Sequence, residues 1–262
     1  MSTFAMHVAK TGLNSQQIKM QVIANNLANV NTTGFKADRA NFESLLYQIL
    51  RGAGDNTSEN TSLTSGLSVG TGTRLLNTSK LHTQGSLINT GNSLDISIEG
   101  DGFFQVLLPD GQVAYTRSGA FSRNAEGMVV TASGYPLQPE LTIPPEALTI
   151  NIASDGIVTV QVPGAVDAEE VGQITLADFP NRQGLQPNGE SMLLESPASG
   201  APVVAAPFEE GMGRTVQGSL ESSNVNVVQE LVDMIETQRA YEVSSKTITS
   251  VDEMMRYLAQ NV

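Results

Sequence analysis

The sequence predicts an α+β protein. Two long helices, one from each end of the chain, are packed as a coiled-coil-like pair, and an antiparallel β-barrel or sandwich domain is inserted between them on an extended, loop-rich connector. Three observations carry this. Apolar residues recur every seven positions through both termini, short alternating runs with Asp-Gly turns fill the middle, and a stretch rich in Gly, Ser, Thr and Asn separates the two patterns. The expected divisions are residues 1–34 for the N-terminal helix, 35–93 for the connector, 94–195 for the β domain, 196–221 for a return segment and 222–262 for the C-terminal helix.

The C-terminal helix is expected to begin near Asn226, a residue that caps helices by accepting bonds from the first unpaired amides, with Glu230 placing negative charge in the first turn. Its seam runs through Val227, Met234, Tyr241, Ile248 and Met255, flanked by Leu231, Val251 and Leu258. Glu242 with Lys246 and Asp252 with Arg256 are acid-before-base pairs four residues apart, each contributing only a few tenths of a kcal/mol.

Over residues 2–30 a second seam combines Met6, Leu13, Met20 and Leu27 with Ala9, Gln16, Ile23 and Val30. Ile18, Val22, Val228 and Ile235 lie off the two seams, so one partner helix does not cover both helices. Exposing about ten large aliphatic side chains forfeits on the order of 15 to 30 kcal/mol of burial, more than the roughly 5 to 15 kcal/mol net stability of a domain. The alternatives are an ordinary helix pair closing a globular domain and packing between copies of the chain. Residues 1–37 contain Lys10, Lys19 and Lys36 and no acid, whereas residues 221–262 hold seven acids and three bases, so the two ends are complementary in charge.

Asn29-Val30-Asn31-Thr32-Thr33-Gly34 stops the first helix, and Phe35 anchors its exit. Residues 41–51, with Phe42, Leu45, Leu46, Ile49 and Leu50, read as a further short helix or a packed turn, and residues 52–72 as a long loop or extended arm. The β series follows. Residues 94–98 alternate, 103–108 turn through Pro109-Asp110-Gly111 into 113–117, and runs at 128–131, 148–152, 157–162 and 171–176 continue it, with Asp155-Gly156 as another turn.

Bulk composition narrows the function. The 262 residues carry a formal charge of −13 with 14 Lys and Arg, which argues against a phosphate-neutralising surface for nucleic acid. The absence of cysteine removes disulfides, thiolate catalysis and thiolate metal sites. His7 and His82 are far apart and read as surface histidines, leaving no expected metal, cofactor or catalytic set. No apolar run approaches a membrane span, and the N-terminus lacks a signal-peptide core, so any export is expected to proceed without a conventional signal. Asp95, Glu99 and Asp101 cluster in sequence as a glycan-cleaving pair would, but turn and edge-strand polarity is the favoured account, because no nucleophile, metal set or phosphate loop accompanies them.

Ala24-Asn25-Asn26-Leu27-Ala28-Asn29-Val30-Asn31-Thr32-Thr33-Gly34-Phe35-Lys36 resembles the N-terminal signature of the bacterial flagellar rod and hook proteins. Gly102-Phe103-Phe104-Gln105-Val106 with Tyr115-Thr116-Arg117-Ser118-Gly119-Ala120-Phe121 resembles the family's β domain. Ser222-Ser223-Asn224-Val225-Asn226-Val227 through Gln238-Arg239-Ala240-Tyr241-Glu242 resembles its C-terminal helix. The likeness covers essentially the whole chain. Its length and residues 47–74 are more similar to the distal-rod branch than to the hook or a proximal-rod branch, and that stretch is thereby implied to pack between subunits.

The resemblance implies a helical homopolymer crossing the periplasm, whose terminal helices form the inner wall of a tube that transmits torque. The implied partners are proximal-rod proteins, the hook protein, the P-ring and L-ring proteins and the flagellar export apparatus, without membrane insertion. Leu13, Met20, Ile23, Leu27, Phe35, Val227, Leu231, Met234, Ile235, Tyr241 and Ile248 are the expected packing residues, and Asn25, Asn26 and Asn29 are expected to hydrogen-bond between helices. Rival readings are a proximal-rod or hook subunit of the same family and a secreted binding module that uses the β domain.

Overall fold

The computed structural model describes residues 2–52, 56–58, 61–62, 64–164 and 168–260. Asp55 of the expected arm, the last two positions of the expected C-terminal helix and the side chain of Leu258 lie outside the described residues. The chain is α+β and divides into two compact units, Met1–Ala28 with Asp38–Ser79 and Asn226–Val262, and Asn29–Ala37 with Lys80–Val225.

The first unit contains both long helices. Helix α1, Ser2–Ala28, has Gly12 as its only glycine and no proline, and it ends where the Asn-rich turn begins, with Thr32 N–H donating to Asn29 O at 3.1 Å. Helix α2, Val227–Gln260, starts at the expected cap: Asn226 Oδ1 accepts the amides of Val228 (3.1 Å) and Gln229 (3.3 Å). The helices lie against one another, with the C-terminal part of α1 meeting the N-terminal part of α2.

The same unit carries strands β1 (Asp38–Ser44), β2 (Tyr47–Arg51), β3 (Asn56–Ser58), β4 (Thr61–Ser62), β5 (Leu67–Gly70) and β6 (Thr73–Lys80). β1 pairs with β6, β2 with β5 and β3 with β4. Residues 41–51 are therefore neither helix nor packed turn. The register Tyr47↔Gly70, Gln48↔Val69 and Ile49↔Ser68 supplies backbone partners from a strand about twenty positions away, a non-local pairing that local apolar spacing does not reveal. Residues 52–72, read as a loop or extended arm, contribute the returning strand of this two-stranded arm.

The second unit is built from β7 (Leu87–Asn89), β8 (Ile96–Glu99), β9 (Phe103–Leu107), β10 (Val113–Thr116), β11 (Phe121–Arg123), β12 (Val129–Thr131), β13 (Leu137–Gln138), β14 (Thr149–Ile152), β15 (Ile157–Gln161), β16 (Glu169–Gln173), β17 (Leu176–Asp178), β18 (Gln186–Gly189), β19 (Met192–Leu194), β20 (Val203–Ala205), β21 (Arg214–Gln217) and β22 (Ser219–Glu221). The expected hairpin forms: Gly111 takes φ +83, its amide donates to Leu108 O, and β9 pairs antiparallel with β10. The main sheet has the order β18-β19-β10-β9-β17-β20, with β13 also on β9.

The described strands form no closed barrel, one of the two forms, barrel or sandwich, expected from strand spacing. The sheet ends at β18, where Pro187 lacks a donor and the register breaks, and at β20 on the opposite edge. Residues 196–221, read as a return segment, carry β20, β21 and β22, and the last two pair with β8 and β7. One face of the sheet buries Phe104, Val106, Leu137, Ile143, Ile174 and Leu176, and a smaller cluster gathers Phe103, Tyr115, Phe179 and Leu193.

Candidate assembly surface

The packing residues expected from sequence divide by face in the first unit. Ile23 and Asn26 on α1 are buried, and Leu13, Met20 and Leu27 are half-buried. On α2, Met234 and Ile248 are half-buried and Val251 is buried, whereas Val227, Leu231, Ile235 and Tyr241 are exposed. A straight helix drifts by roughly 20° per heptad, so residues seven apart do not hold one face over four turns without supercoiling.

Polar side chains share the buried interior of this unit with Ile23 and Val251. Ser15 and Thr237 are buried, with Ser15 Oγ donating to Thr11 O (2.9 Å) and Thr237 Oγ1 to Asp233 O (2.6 Å). Four aliphatics near the start of α2 are exposed instead. Val228, Leu231, Val232 and Ile235 follow the i, i+3, i+4, i+7 spacing of a single helical face, and Val228 is 71 % exposed. The arm repeats the pattern: Leu46, Tyr47, Ile49, Leu50 and Leu67 are all exposed, Leu46 to 88 %. Exposed apolar side chains grouped in this way make the α2 face and the arm the candidate assembly surface.

Of the three asparagines, Asn26 bridges the helices. Its amide nitrogen donates to Glu230 Oε1 on α2 (3.0 Å) and to Asp38 O (2.9 Å), and its oxygen accepts the Asp38 amide (2.9 Å). Burial raises the Glu230 carboxyl above its ordinary pKa, and the Asn26 bond opposes this. Asn25 reaches Asp38 Oδ2 at 3.5 Å, and Asn29 accepts the Thr32 hydroxyl at 3.2 Å in the turn.

In the second unit, sequence reasoning missed a buried charge cluster. Glu221, fully buried, accepts Lys36 Nζ at 2.6 Å, the Gly85 amide at 2.8 Å and Arg117 Nη1 at 3.5 Å. Lys36 Nζ also donates to Thr83 O, and Arg117 Nη2 to Gly100 O. Burial lowers the pKa of both cations, and Glu221 holds each against it. Gly34, at φ +68, donates its amide to Glu221 O; a Cβ there would stand 2.5 Å from Ser118 N, so the tight turn of the signature requires glycine. Phe35 is half-buried, with Lys80 Nζ 5.3 Å from its ring centroid. The sequence signal available for Glu221 was a lone acid a few residues before the cap of α2, which is too weak to name it.

His82 is not the surface histidine expected. Both ring nitrogens are buried, with no hydrogen bond of good geometry among the described residues, the ring stands edge-on to Phe103 at 5.7 Å, and burial beside Lys36 lowers its pKa to about 4 although the Arg182 backbone opposes this. The carboxylates weighed for catalysis have structural partners: Asp95 accepts Thr90 and Asn92, Glu99 pairs with Arg214, and Asp101 pairs with Arg182. Among the described residues no helix is long and apolar enough to cross a membrane.

Three family models match the chain. Residues 6–36 match the model of the flagella basal body rod protein, residues 97–160 that of the flagellar hook protein FlgE/F/G D1 domain, and residues 216–261 that of the flagellar basal body rod FlgEFG protein C-terminal region. Among curated relatives, the chain is 50 % identical to the flagellar basal-body rod protein FlgG of Buchnera aphidicola subsp. Schizaphis graminum, over 98 % of each chain. It is 44 % identical to FlgG of Agrobacterium fabrum, over 98 % of this chain and 99 % of that one. It is 31 % identical to the rod protein FlgF of Caulobacter vibrioides, over 96 % and 95 %.

Proposed function

This chain belongs to the family of flagellar basal-body rod proteins FlgG, which is structural rather than enzymatic, and from that premise we propose how its surfaces build the rod. It is a structural subunit of the distal rod, a basal-body component that spans the periplasm, and it assembles with copies of itself and with other rod and hook proteins. In the polymer, α1 and α2 tighten into a coiled-coil-like pair that lines the tube, and the exposed apolar face of α2 is covered by the helices of neighbouring subunits. The arm formed by β2 and β5 inserts between subunits and stiffens the tube that carries torque to the hook. Proximal-rod proteins below, the hook protein above and the P-ring and L-ring proteins around it are the remaining contacts, and delivery is through the flagellar export apparatus.

The observation that carries this reading is the outward placement of Val228, Leu231, Val232 and Ile235 together with Leu46 and Ile49. Large aliphatics are retained outside the fold of one chain, each of them able to contribute roughly 1.5 to 3 kcal/mol when buried. Leu231→Asp tests it. The side chain is exposed in the single subunit, so the variant folds, but assembly would bury an unpaired carboxylate. The expected outcome is a soluble, folded subunit in a non-motile strain lacking distal rods; normal swimming would refute the assignment of this face.

A further inference from the structure

The exposed face of α2 carries charge as well as aliphatic surface. At the α-helical period, Val228, Arg239 and Lys246 form the midline of an arc of about 140°. One flank of the arc holds Val232, Glu236 and Val243, the other Leu231, Ile235 and Glu242, and every one of these side chains is exposed. Glu236, Arg239, Glu242 and Lys246 are in no ion pair among the described residues, although Asp252 and Arg256, spaced as Glu242 and Lys246 are, pair at 3.0 Å. A cation taken out of water without a counter-charge destabilises the contact that buries it. Whatever covers this face must therefore offer aliphatic side chains near its start and carboxylates beside Arg239.

Helix α1 of a second copy offers neither. It contains no Asp or Glu, and its exposed positions hold small and polar residues, among them Ala5, His7, Lys10, Asn14, Gln17 and Gln21. The two strands of the β2–β5 arm offer aliphatics, but their charged residue is Arg51. Helix α2 of a second copy offers both, and the order of residues along its flanks fixes how two such helices fit. Side by side in register, one flank against the other, Glu236 faces Ile235 and Val243 faces Glu242, which sets carboxylates on aliphatics. A displacement of three residues, about 4.5 Å along the helix, removes both mismatches. Val228 then meets Leu231, Val232 meets Ile235, Glu236 meets Arg239 and Arg239 meets Glu242, while Val243 lies against the aliphatic stem of Lys246. An antiparallel contact centred on Arg239 and Glu242 would instead set Ile235 against Lys246.

We propose that α2 packs parallel to α2 of a second copy of this chain, displaced by three residues, with the Val232–Glu236 flank of one against the Leu231–Ile235–Glu242 flank of the other. The two flanks differ, so the contact is heterologous, and its axial displacement makes repetition propagate a helix rather than close a ring. In a subunit with a neighbour on each side, Arg239 stands between Glu242 of one copy and Glu236 of the other. The inference rests on the rod reading given above and names, for the face already assigned to assembly, the element that covers it and its register.

The absence of native cysteine makes disulfide trapping selective. Full-length chains carrying Val232→Cys and Ile235→Cys are co-expressed, basal bodies are purified and mildly oxidised, and dimers are read on a non-reducing gel. The expected result is a dimer from this mixture, several-fold less from Val232→Cys mixed with Leu231→Cys, and none from Val232→Cys alone. Assembled rods in which the Leu231→Cys mixture gives the greater yield, or in which neither mixture gives a dimer, would overturn this register. Charge reversal keeps the test decisive where the cysteine variants assemble poorly. Arg239→Glu should lower swimming speed several-fold, and adding Glu236→Arg and Glu242→Arg should restore most of it, with the thermal midpoint of the dilute subunit the same in both variants. Unimpaired swimming of the single variant, or no recovery in the triple, would count against the contact and leave the rod reading standing. If the unsubstituted chain were absent from purified basal bodies, the rod reading itself would fail, and this contact with it.

Discussion

The two units of this chain treat the same kind of side chain in opposite ways. The β unit hides its aliphatic and aromatic residues: Phe104, Val106, Leu137, Ile143, Ile174 and Leu176 have no exposed surface. The helix-and-arm unit turns Val228, Val232, Ile235, Leu46 and Ile49 outward and uses Ser15, Asn26 and Thr237 among the residues buried within it. A unit that buries its large side chains has already gained their burial energy, whereas one that exposes them can still gain it from a neighbour. The difference underlies the proposal that one chain combines a fold complete in itself with an element completed by assembly.

Perturbations of the β unit should therefore act on the isolated subunit, and those of the helical face should not. The largest effect is expected for Glu221→Gln, which leaves Lys36 and Arg117 buried without a counter-charge; breaking such a cluster costs about 3–5 kcal/mol. Thermal and urea melts of the purified chain measure it, and an unchanged midpoint would contradict the assigned role. Phe104→Ala, which opens a cavity beside Phe121 in the same unit, should lower stability by a comparable or slightly smaller amount, about 3–4 kcal/mol.

Acid gives a graded test of the same interior. His82 is kept neutral by burial and by Lys36, Arg182 and Arg117, with a folded pKa of about 4 against 6.5 when free. The unfolded chain binds the proton first, so this contribution is fully present above pH 6.5 and is lost as pH falls toward 4. It amounts to at most about 3.5 kcal/mol. In His82→Phe that part of the pH dependence should vanish between these limits. The smallest effect on the isolated subunit is expected for Leu231→Ala, within about 0.5 kcal/mol because the side chain is already exposed. Assembly in cells should nevertheless be impaired. A large loss of monomer stability would instead place Leu231 in the subunit's own core.

Features encoded locally were legible in the sequence. The cap at Asn226, the helix stop at Asn29-Val30-Asn31 and the Asp110-Gly111 turn each depend on a few adjacent residues, and each appears where the residue chemistry places it. Non-local features were not. The pairing of β2 with β5, and of β21 and β22 with β8 and β7, depends on partners far along the chain. Glu221 and His82 owe their character to burial among residues from distant segments, which neither spacing nor composition expresses. The heptad pattern revealed that the helices carry more apolar surface than one partner covers, but not which residues turn inward: Met234 does, and Leu231 three positions earlier does not.

Amide hydrogen exchange, compared between the dilute subunit and purified basal bodies, tests the central contrast most directly. The account predicts that the amides of β8 to β10 are protected in both samples, whereas those of α1, α2 and the β2–β5 arm exchange readily in the dilute subunit and become protected in the rod. Strong protection of both helices in a dilute subunit that never polymerises would contradict it, because the helical unit would then be as complete as the β unit.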